Sequence, residues 1–418
     1  MMAKTILYII IIILIFDYIV DRILEALNKK NWSTELPEEL KDIYDKDKYK
    51  KAMDYDFQSG KLSLWSGTFS FMIMLTILLT GGFGYIDNFV RQYTENPILL
   101  AILFFGIIGL GSEILTTPFS YYSTFVIETK YGFNRTTIKT FITDKIKTLV
   151  LGAIIGGIIL SVVIWIYEKT GTNFWIWAWI TISIFMIFMT MFFSSIIVPL
   201  FNKQTPLEEG ELRSSIENFC NKIGFKLDNI FVIDGSKRSS KANAYFSGLG
   251  RKKRIVLYDT LMNNHSIDEI VAILAHEVGH YKKKHTFKNL ILGLAETGLM
   301  LYIFSLFINN ESLSFALGAT KHSFHIAILA FGLLYSPLTL ILDLGLNYLS
   351  RRYEKEADTF AAKNYYSKSL QNALIKLSSD HLSNLNPHPF YVFFHYSHPP
   401  LLERLKVLKS ATPLTGDN

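Results

Sequence analysis

The sequence predicts a mainly α, integral membrane protein with a small α+β unit held outside the lipid. Half of the 418 residues are hydrophobic and only 19% are charged, below the roughly one quarter usual in soluble domains. The apolar residues fall in blocks close to the roughly 20 positions that a bilayer core demands. Between two of those blocks lies a long polar stretch, 200–286, that contains strand-like runs.

Seven spans are read in order at 4–24, 64–84, 98–120, 146–167, 174–198, 287–308 and 323–349. Asp17 in the first and Glu113 in the third are expected to face a wet interior, because charge in hydrocarbon is costly. Trp175, Trp177 and Trp179 open the fifth, as an interfacial aromatic belt does. The first block runs into Asp17, Asp21 and Arg22 without a small-residue cleavage site, so no cleavable signal peptide is expected. The segments 28–61, 128–147 and 200–286 are rich in Lys and Arg, whereas 85–97, 168–173 and 309–322 carry one each. Positive charge stays inside, which predicts an outer or lumenal N-terminus, a cytoplasmic C-terminus and a cytoplasmic polar unit.

The chain divides into 1–199 with five spans, a polar segment 200–286, two more spans over 287–350, and a helical C-terminal block 351–418. Within 200–286 a helix near 207–223 precedes a strand, Asn229–Ile233. Residues 241–247 and 254–257 then form a hairpin around Gly248, Gly250 and a basic run. With no low-complexity linker between them, the two polar blocks should pack together. The net charge of +6 sits beside apolar blocks, where topology and lipid headgroups account for it without nucleic acid. The single Cys220 excludes an intramolecular disulfide and an all-cysteine metal site.

The chemistry centres on His276-Glu277-Val278-Gly279-His280. On a helix the two imidazoles project from one face and can grip one zinc ion, with Glu277 placed to take a proton from a metal-polarised water. By composition such a pattern arises by chance in about one sequence in a hundred of this kind. Ser266 and Glu269 supply a capping box for this helix, and Lys282, Lys283 and Lys284 suit its last turn. The metzincin pattern puts a third His six residues past the second, where this chain has Thr286. His285 is therefore read as an exposed member of the basic cluster.

A catalytic zinc site takes three protein ligands and keeps one position open. Arg351-Arg352-Tyr353-Glu354-Lys355-Glu356-Ala357-Asp358 offers three acids. At 100° per residue Glu354 and Asp358 share a helix face and Glu356 points away. Traced backwards, the same face carries Ser350, Asn347 and Asp343. Such a polar stripe rising into the seventh span is expected to line a hydrated cavity leading to the metal. The bland alternative is that Asp343 and Asn347 hydrogen-bond to neighbouring spans.

The chain closely resembles the type 1 CAAX prenyl proteases over nearly its whole length. The likeness is carried by Pro118-Phe119-Ser120, Thr124 to Glu128 with Tyr131-Gly132-Phe133-Asn134, Asn202 with Pro206-Leu207, and Asn243-Ala244-Tyr245-Phe246. It continues through His276 to His280, Glu354 with Ala357 and Asp358, and Ser397-His398-Pro399-Pro400. The resemblance implies seven transmembrane helices around a hydrated chamber, with the zinc-protease domain at the cytoplasmic face. It implies one Zn2+ per chain on His276, His280 and Glu354, Glu277 as general base, and Asp358 orienting the first ligand. It further implies that Asn243 and Ala244 pair with an extended substrate backbone and that His398 donates to the oxyanion. Arg404 is expected to anchor that last motif by an ion pair. The implied substrate is a peptide or protein prenylated at a C-terminal Cys, cut in the membrane of the endoplasmic reticulum or of a bacterium. Short loops lean towards a bacterial member, in which quality control of membrane proteins, an HtpX-like role, is the alternative. A site-2-type intramembrane protease is disfavoured because Asp268, Glu269 and the lysines keep the HExxH helix out of hydrocarbon. A non-enzymatic protein with a vestigial zinc site has no use for Glu277.

Overall fold

The computed structural model describes residues 1–33, 35–41, 43–225, 230–248 and 253–411. Among them six helical stretches are long and apolar enough to cross a membrane. One of the six, Ile138–Phe201, contains two of the predicted spans. The first five membrane helices are α1 (Met2–Lys30), α2 (Lys46–Thr80), α3 (Pro97–Tyr122), α4 (Ile138–Thr170) and α5 (Phe174–Ile196). Gly171, at φ 57° and ψ −132°, breaks α4 from α5. That conformation favours glycine, and the two helices fold back until Lys147 Nζ donates to the Leu200 carbonyl at 2.8 Å.

The helices overrun the predicted spans where the polar region supports them. Residues 46–61 belong to a loop in the sequence reading, but α2 begins at Lys46. Asp45 caps it, accepting from the backbone N–H groups of Asp47 and Lys48; Tyr49 is buried in a cluster with Leu40, Ile375 and Leu405, and Ala52 in one with Tyr131, Phe133 and Leu382. The charged Asp17 and Glu113 both find partners. Asp17 accepts from Ser336 at 3.0 Å, and Glu113 pairs with Lys145 of α4 at 2.6 Å. Of the three tryptophans in α5, Trp177 faces outwards. Trp179 turns inwards and donates to the Leu294 carbonyl at 2.8 Å.

The polar unit carries α6 (Glu211–Lys222) and a four-stranded sheet of β1 (Gln204–Pro206), β2 (Ile230–Ile233), β3 (Ala244–Ser247) and β4 (Arg254–Tyr258). The strand order is β1-β2-β4-β3; β2 and β4 are parallel and the other pairs antiparallel. The predicted hairpin is thus β3–β4, with β3 at the sheet edge. Asn229 and the turn residue Gly250 lie outside the described residues.

The chain continues through α7 (Ile267–Lys282), which packs on the sheet, and the membrane helix α8 (His285–Phe307), then α9 (Phe324–Asn364), α10 (Ser367–Asp380) and α11 (Leu401–Ser410). The 41 residues of α9 span roughly 60 Å at 1.5 Å each, about twice a bilayer core. Its first half crosses the membrane and its second half enters the polar unit. There Ala361 and Ala362 share one apolar core with Ile216, Leu257, Leu274 and Leu408, so the two polar blocks pack together as expected. The 131–134 motif clamps membrane helices to this unit: Phe133 C=O accepts from Ser240 N–H at 3.0 Å, and Arg135 N–H donates to the Arg238 carbonyl at 3.0 Å.

Candidate active site

The helix α7 starts as its sequence dictates: Ser266 and Glu269 satisfy each other's backbone N–H groups in a complete capping box. From Ile270 to Ala275 every side chain is buried, which fixes the helix rotationally and aims His276 and His280 at α9. Gly279 lets the two helices touch. A Cβ there would lie 3.1 Å from the Ala357 Cα and 3.2 Å from its carbonyl oxygen, tighter than ordinary van der Waals contact. Gly279→Val is expected to pry α7 from α9 and weaken metal uptake, as a chelator-competition titration of the purified variant will show.

That contact brings Glu354, nearly buried at 4% exposure, between the two imidazoles. The facing Nε2 atoms of His276 and His280 are 3.2 Å apart. Glu354 Oε2 is 3.4 Å from the first, and Oε1 is 3.1 Å from the second. Bonds of 2.0–2.1 Å to a tetrahedral zinc put neighbouring donors about 3.3 Å apart, so the triangle has the right edges. Among the described residues Glu354 Oε2 accepts no well-formed hydrogen bond, His276 Nε2 at 3.4 Å being its nearest nitrogen, a costly state for a buried carboxylate oxygen that a cation relieves. These three side chains are the group among the described residues whose donor atoms converge as metal ligands do.

Asp358, fully buried, lies one turn along the same face of α9. His276 Nδ1 donates to its Oδ1 at 2.8 Å, and Arg404 of α11 grips both oxygens at 2.6 and 2.9 Å. The ion pair expected of Arg404 is therefore made with Asp358 and not with the motif of His398. Burial opposes a charge on His276, but its bonds to Asp358 and Glu354 outweigh it and raise the imidazole to about 9. Arg404 likewise resists the penalty of burial and is held further into its charged form by Asp358 and Glu354. Cys220 is buried and pushed up to about 12, which removes it as a thiolate nucleophile.

A cavity of about 650 Å³ opens beside this cluster, and His276, Glu277, Glu354 and His398 all line it. Glu277 makes no hydrogen bond or ion pair among the described residues, as a general base awaiting a water requires. His398 is two-thirds exposed, with its Nε2 3.3 Å from Glu354 Oε1, and Ser397 Oγ lies 3.0 Å from its Nδ1. Asn243 and Ala244 reach the same cavity. Tyr258 N–H donates to the Asn243 carbonyl, which sets residues 243, 245 and 247 in hydrogen-bonded pairs with β4. In an antiparallel ladder the backbone groups of Ala244 and Phe246 then point to the free edge. The Asn243 side chain accepts from the Ala244 N–H at 2.8 Å and so closes that edge.

Other positions differ from expectation. His285 is 1% exposed, not a surface residue, because Lys284 adopts a left-handed φ of 59° and folds the start of α8 back against α9. Asp343 is exposed on α9 and does not line the cavity beside the histidines. Asn347 donates to the Phe394 carbonyl at 2.8 Å, a partner in the short helix Pro389–His395 of the C-terminal block and not in a neighbouring span. Tyr55, Asp56, His381 and Tyr396 line the cavity too. The sequence carries no local signal for them, since they come from distant segments and only packing assembles them.

Two family models account for most of the chain. Residues 26–203 match the CAAX prenyl protease N-terminal domain with its five membrane helices, and residues 206–412 match peptidase family M48. CAAX prenyl protease 1 of Saccharomyces cerevisiae is 37% identical over 401 residues, covering 90% of this chain and 88% of its own. The Homo sapiens homolog is 34% identical, with 90% and 89% covered, and the Arabidopsis thaliana homolog is 42% identical over 315 residues, with 75% and 74% covered. The crystal structure of S. mikatae Ste24p superposes with a TM-score of 0.91 at 36% identity, covering 96% of this chain and 98% of that one. The chain belongs to peptidase family M48, as a multi-pass membrane metalloprotease of the CAAX prenyl protease type.

Proposed function

We propose that the protein is a zinc-dependent endopeptidase that trims the C-terminal residues of peptides or proteins bearing a prenyl thioether on a C-terminal Cys. The observation that carries this reading is the convergence of His276, His280 and Glu354 on one point at the wall of the cavity. We assign these three as the zinc ligands, with Asp358 and Arg404 holding His276 in place. A bound zinc supplies Lewis acidity that brings a water's pKa to about 7 and polarises the scissile carbonyl. Glu277 takes the proton from the attacking water at a carboxylate oxygen and delivers it to the nitrogen of the leaving amine. His398 donates from Nε2 to the carbonyl oxygen as negative charge develops there.

The free edge of β3 orients the substrate as an added strand, its N–H and C=O groups meeting those of Ala244 once the Asn243 side chain swings aside. The names of the relatives, all CAAX prenyl protease 1 or its homologs, favour this substrate class over a bacterial quality-control role. The positive charge beside the spans favours an active site on the cytoplasmic side. The peptidase unit then comprises 200–286 and 351–418, joined through the two spans of 287–350.

Two measurements test the proposal. Mass spectrometry of digests of one CaaX peptide, with and without its prenyl group, is expected to show release of the last three residues, faster from the prenylated form and abolished by a chelator. Equal cleavage of both forms overturns the lipid preference, and activity that survives complete metal removal overturns the mechanism. His398→Ala is expected to keep stoichiometric zinc and lose about 10²–10³ in kcat, the range for removing one oxyanion donor. Metal analysis alongside initial rates separates the two effects.

A further inference from the structure

The two proposed histidine ligands are buttressed in different ways. His276 presents its Nδ1 directly to a carboxylate, Asp358, at 2.8 Å. His280 instead presents its Nδ1 to another imidazole, with His285 Nδ1 3.0 Å away. On the far side of that second ring, His285 Nε2 lies 3.2 Å from Glu356 Oε2. Glu356 Oε1 in turn accepts from Arg352 Nε, one turn earlier on α9, at 3.3 Å. The His285 ring is stacked on Tyr353, with centroids 4.2 Å apart and planes 12° from parallel.

One arrangement of protons satisfies every contact in this chain. If His280 gives its Nε2 lone pair to the metal, its proton must sit on Nδ1 and be donated. Two ring nitrogens 3.0 Å apart share a single hydrogen, so His285 Nδ1 is the acceptor. His285 then carries its own proton on Nε2 and donates it to the Glu356 carboxylate. Ligating histidines generally need such a partner to fix tautomer and ring orientation, and among the described residues His280 Nδ1 makes no other hydrogen bond. His285 offers an acceptor that is 1% exposed, clamped by an aromatic face on one side and an acid beyond.

We propose that His285, held by Glu356, is the positioning residue for His280, so that the second ligand is anchored to α9 through an imidazole–carboxylate relay. This inference rests on the assignment of His280 as a ligand. The relay also gives Glu356 a use that its turn away from the metal otherwise conceals. Glu354 and Glu356, two residues apart on one helix, would serve opposite sides of the same imidazole.

The test is zinc affinity of the full-length purified protein, read by competition with a chromophoric chelator, together with the visible absorption of the cobalt-loaded protein. His285→Phe preserves the stacked ring and removes the acceptor. It is expected to weaken zinc binding by about 10–100-fold, the usual cost of losing such a partner, and to shift the cobalt bands. His285→Asn places an amide oxygen near the position of Nδ1 and is expected to recover most of the affinity. Glu356→Ala, at a half-exposed position that tolerates truncation, is expected to weaken binding measurably but less than His285→Phe. The relay is overturned by wild-type affinity and an unchanged cobalt spectrum in His285→Phe, or by equal losses in the Phe and Asn variants, which would mark a packing effect. Should His285→Phe fail to fold, wild-type affinity in Glu356→Ala overturns it instead. A wild-type protein that takes up no metal, or a His280→Ala variant with undiminished affinity, removes the ligand assignment itself and is distinguishable from either result.

Discussion

Glu277→Gln is expected to bind zinc stoichiometrically and yet lose nearly all turnover, by at least the 10²–10⁴-fold that general acid–base catalysis typically contributes. The substitution keeps size and shape and removes only basicity. Because Glu277 bonds to no other side chain among the described residues, the amide disturbs no buried network there and the ligand triangle stays as it is. His276 and His280 remain 3.2 Å apart at Nε2, since their positions are set by the buried face of α7 and by Asp358. Metal analysis with rate measurements on the same preparation checks both halves. A variant that retains full activity removes Glu277 as the base, while one that loses its metal shows that Glu277 supports the ligands.

Glu354→Ala should fail one step earlier, at metal binding. It removes the one donor that α9 contributes to the triangle and leaves two imidazoles, which hold zinc poorly when structural and catalytic sites alike take three or four protein ligands. The expected loss of affinity exceeds the roughly 10–100-fold that follows from losing an outer partner of a ligand. The fold itself should survive. The core around α7 is apolar, and Arg404 keeps its stronger pair with Asp358 at 2.6 Å. Retained stoichiometric zinc in this variant would move the third ligand elsewhere, with Glu356 the nearest acid on the same helix. Comparing melting curves with and without added zinc separates loss of metal from loss of fold, because only a binding-competent protein is stabilised by the ion.

Much of the architecture is legible from local rules. Apolar blocks of bilayer length give the spans, Ser266 with Glu269 gives the start of α7, and a four-residue spacing puts His276 and His280 on one face. The face shared by Glu354 and Asp358 follows from the same periodicity, and the two are indeed the buried acids of that segment. Helix lengths were less legible. The polar starts of helices such as α2 resemble loops in hydropathy alone, and only the burial of Tyr49 and Ala52 by distant residues holds them helical.

His285 and Asn347 mark the limit of reading by pattern. A histidine after three lysines has every local sign of exposure, yet a left-handed Lys284 buries it against Tyr353. Asn347 shares the polar stripe of α9 but spends its amide on the Phe394 carbonyl.

The sequence by itself determined which residues can be metal donors, where the membrane helices run and which face of each helix is polar, because these are matters of composition and of a fixed angle per residue. Only the tertiary structure decided that Glu354 meets the two imidazoles, that Arg404 serves Asp358, and that His285 backs His280. The first joins positions 74 and 78 residues apart and depends on how closely α7 packs on α9 at Gly279. The second joins positions 46 apart. The third, though only five apart, turns on a left-handed Lys284, and no local pattern encodes any of them.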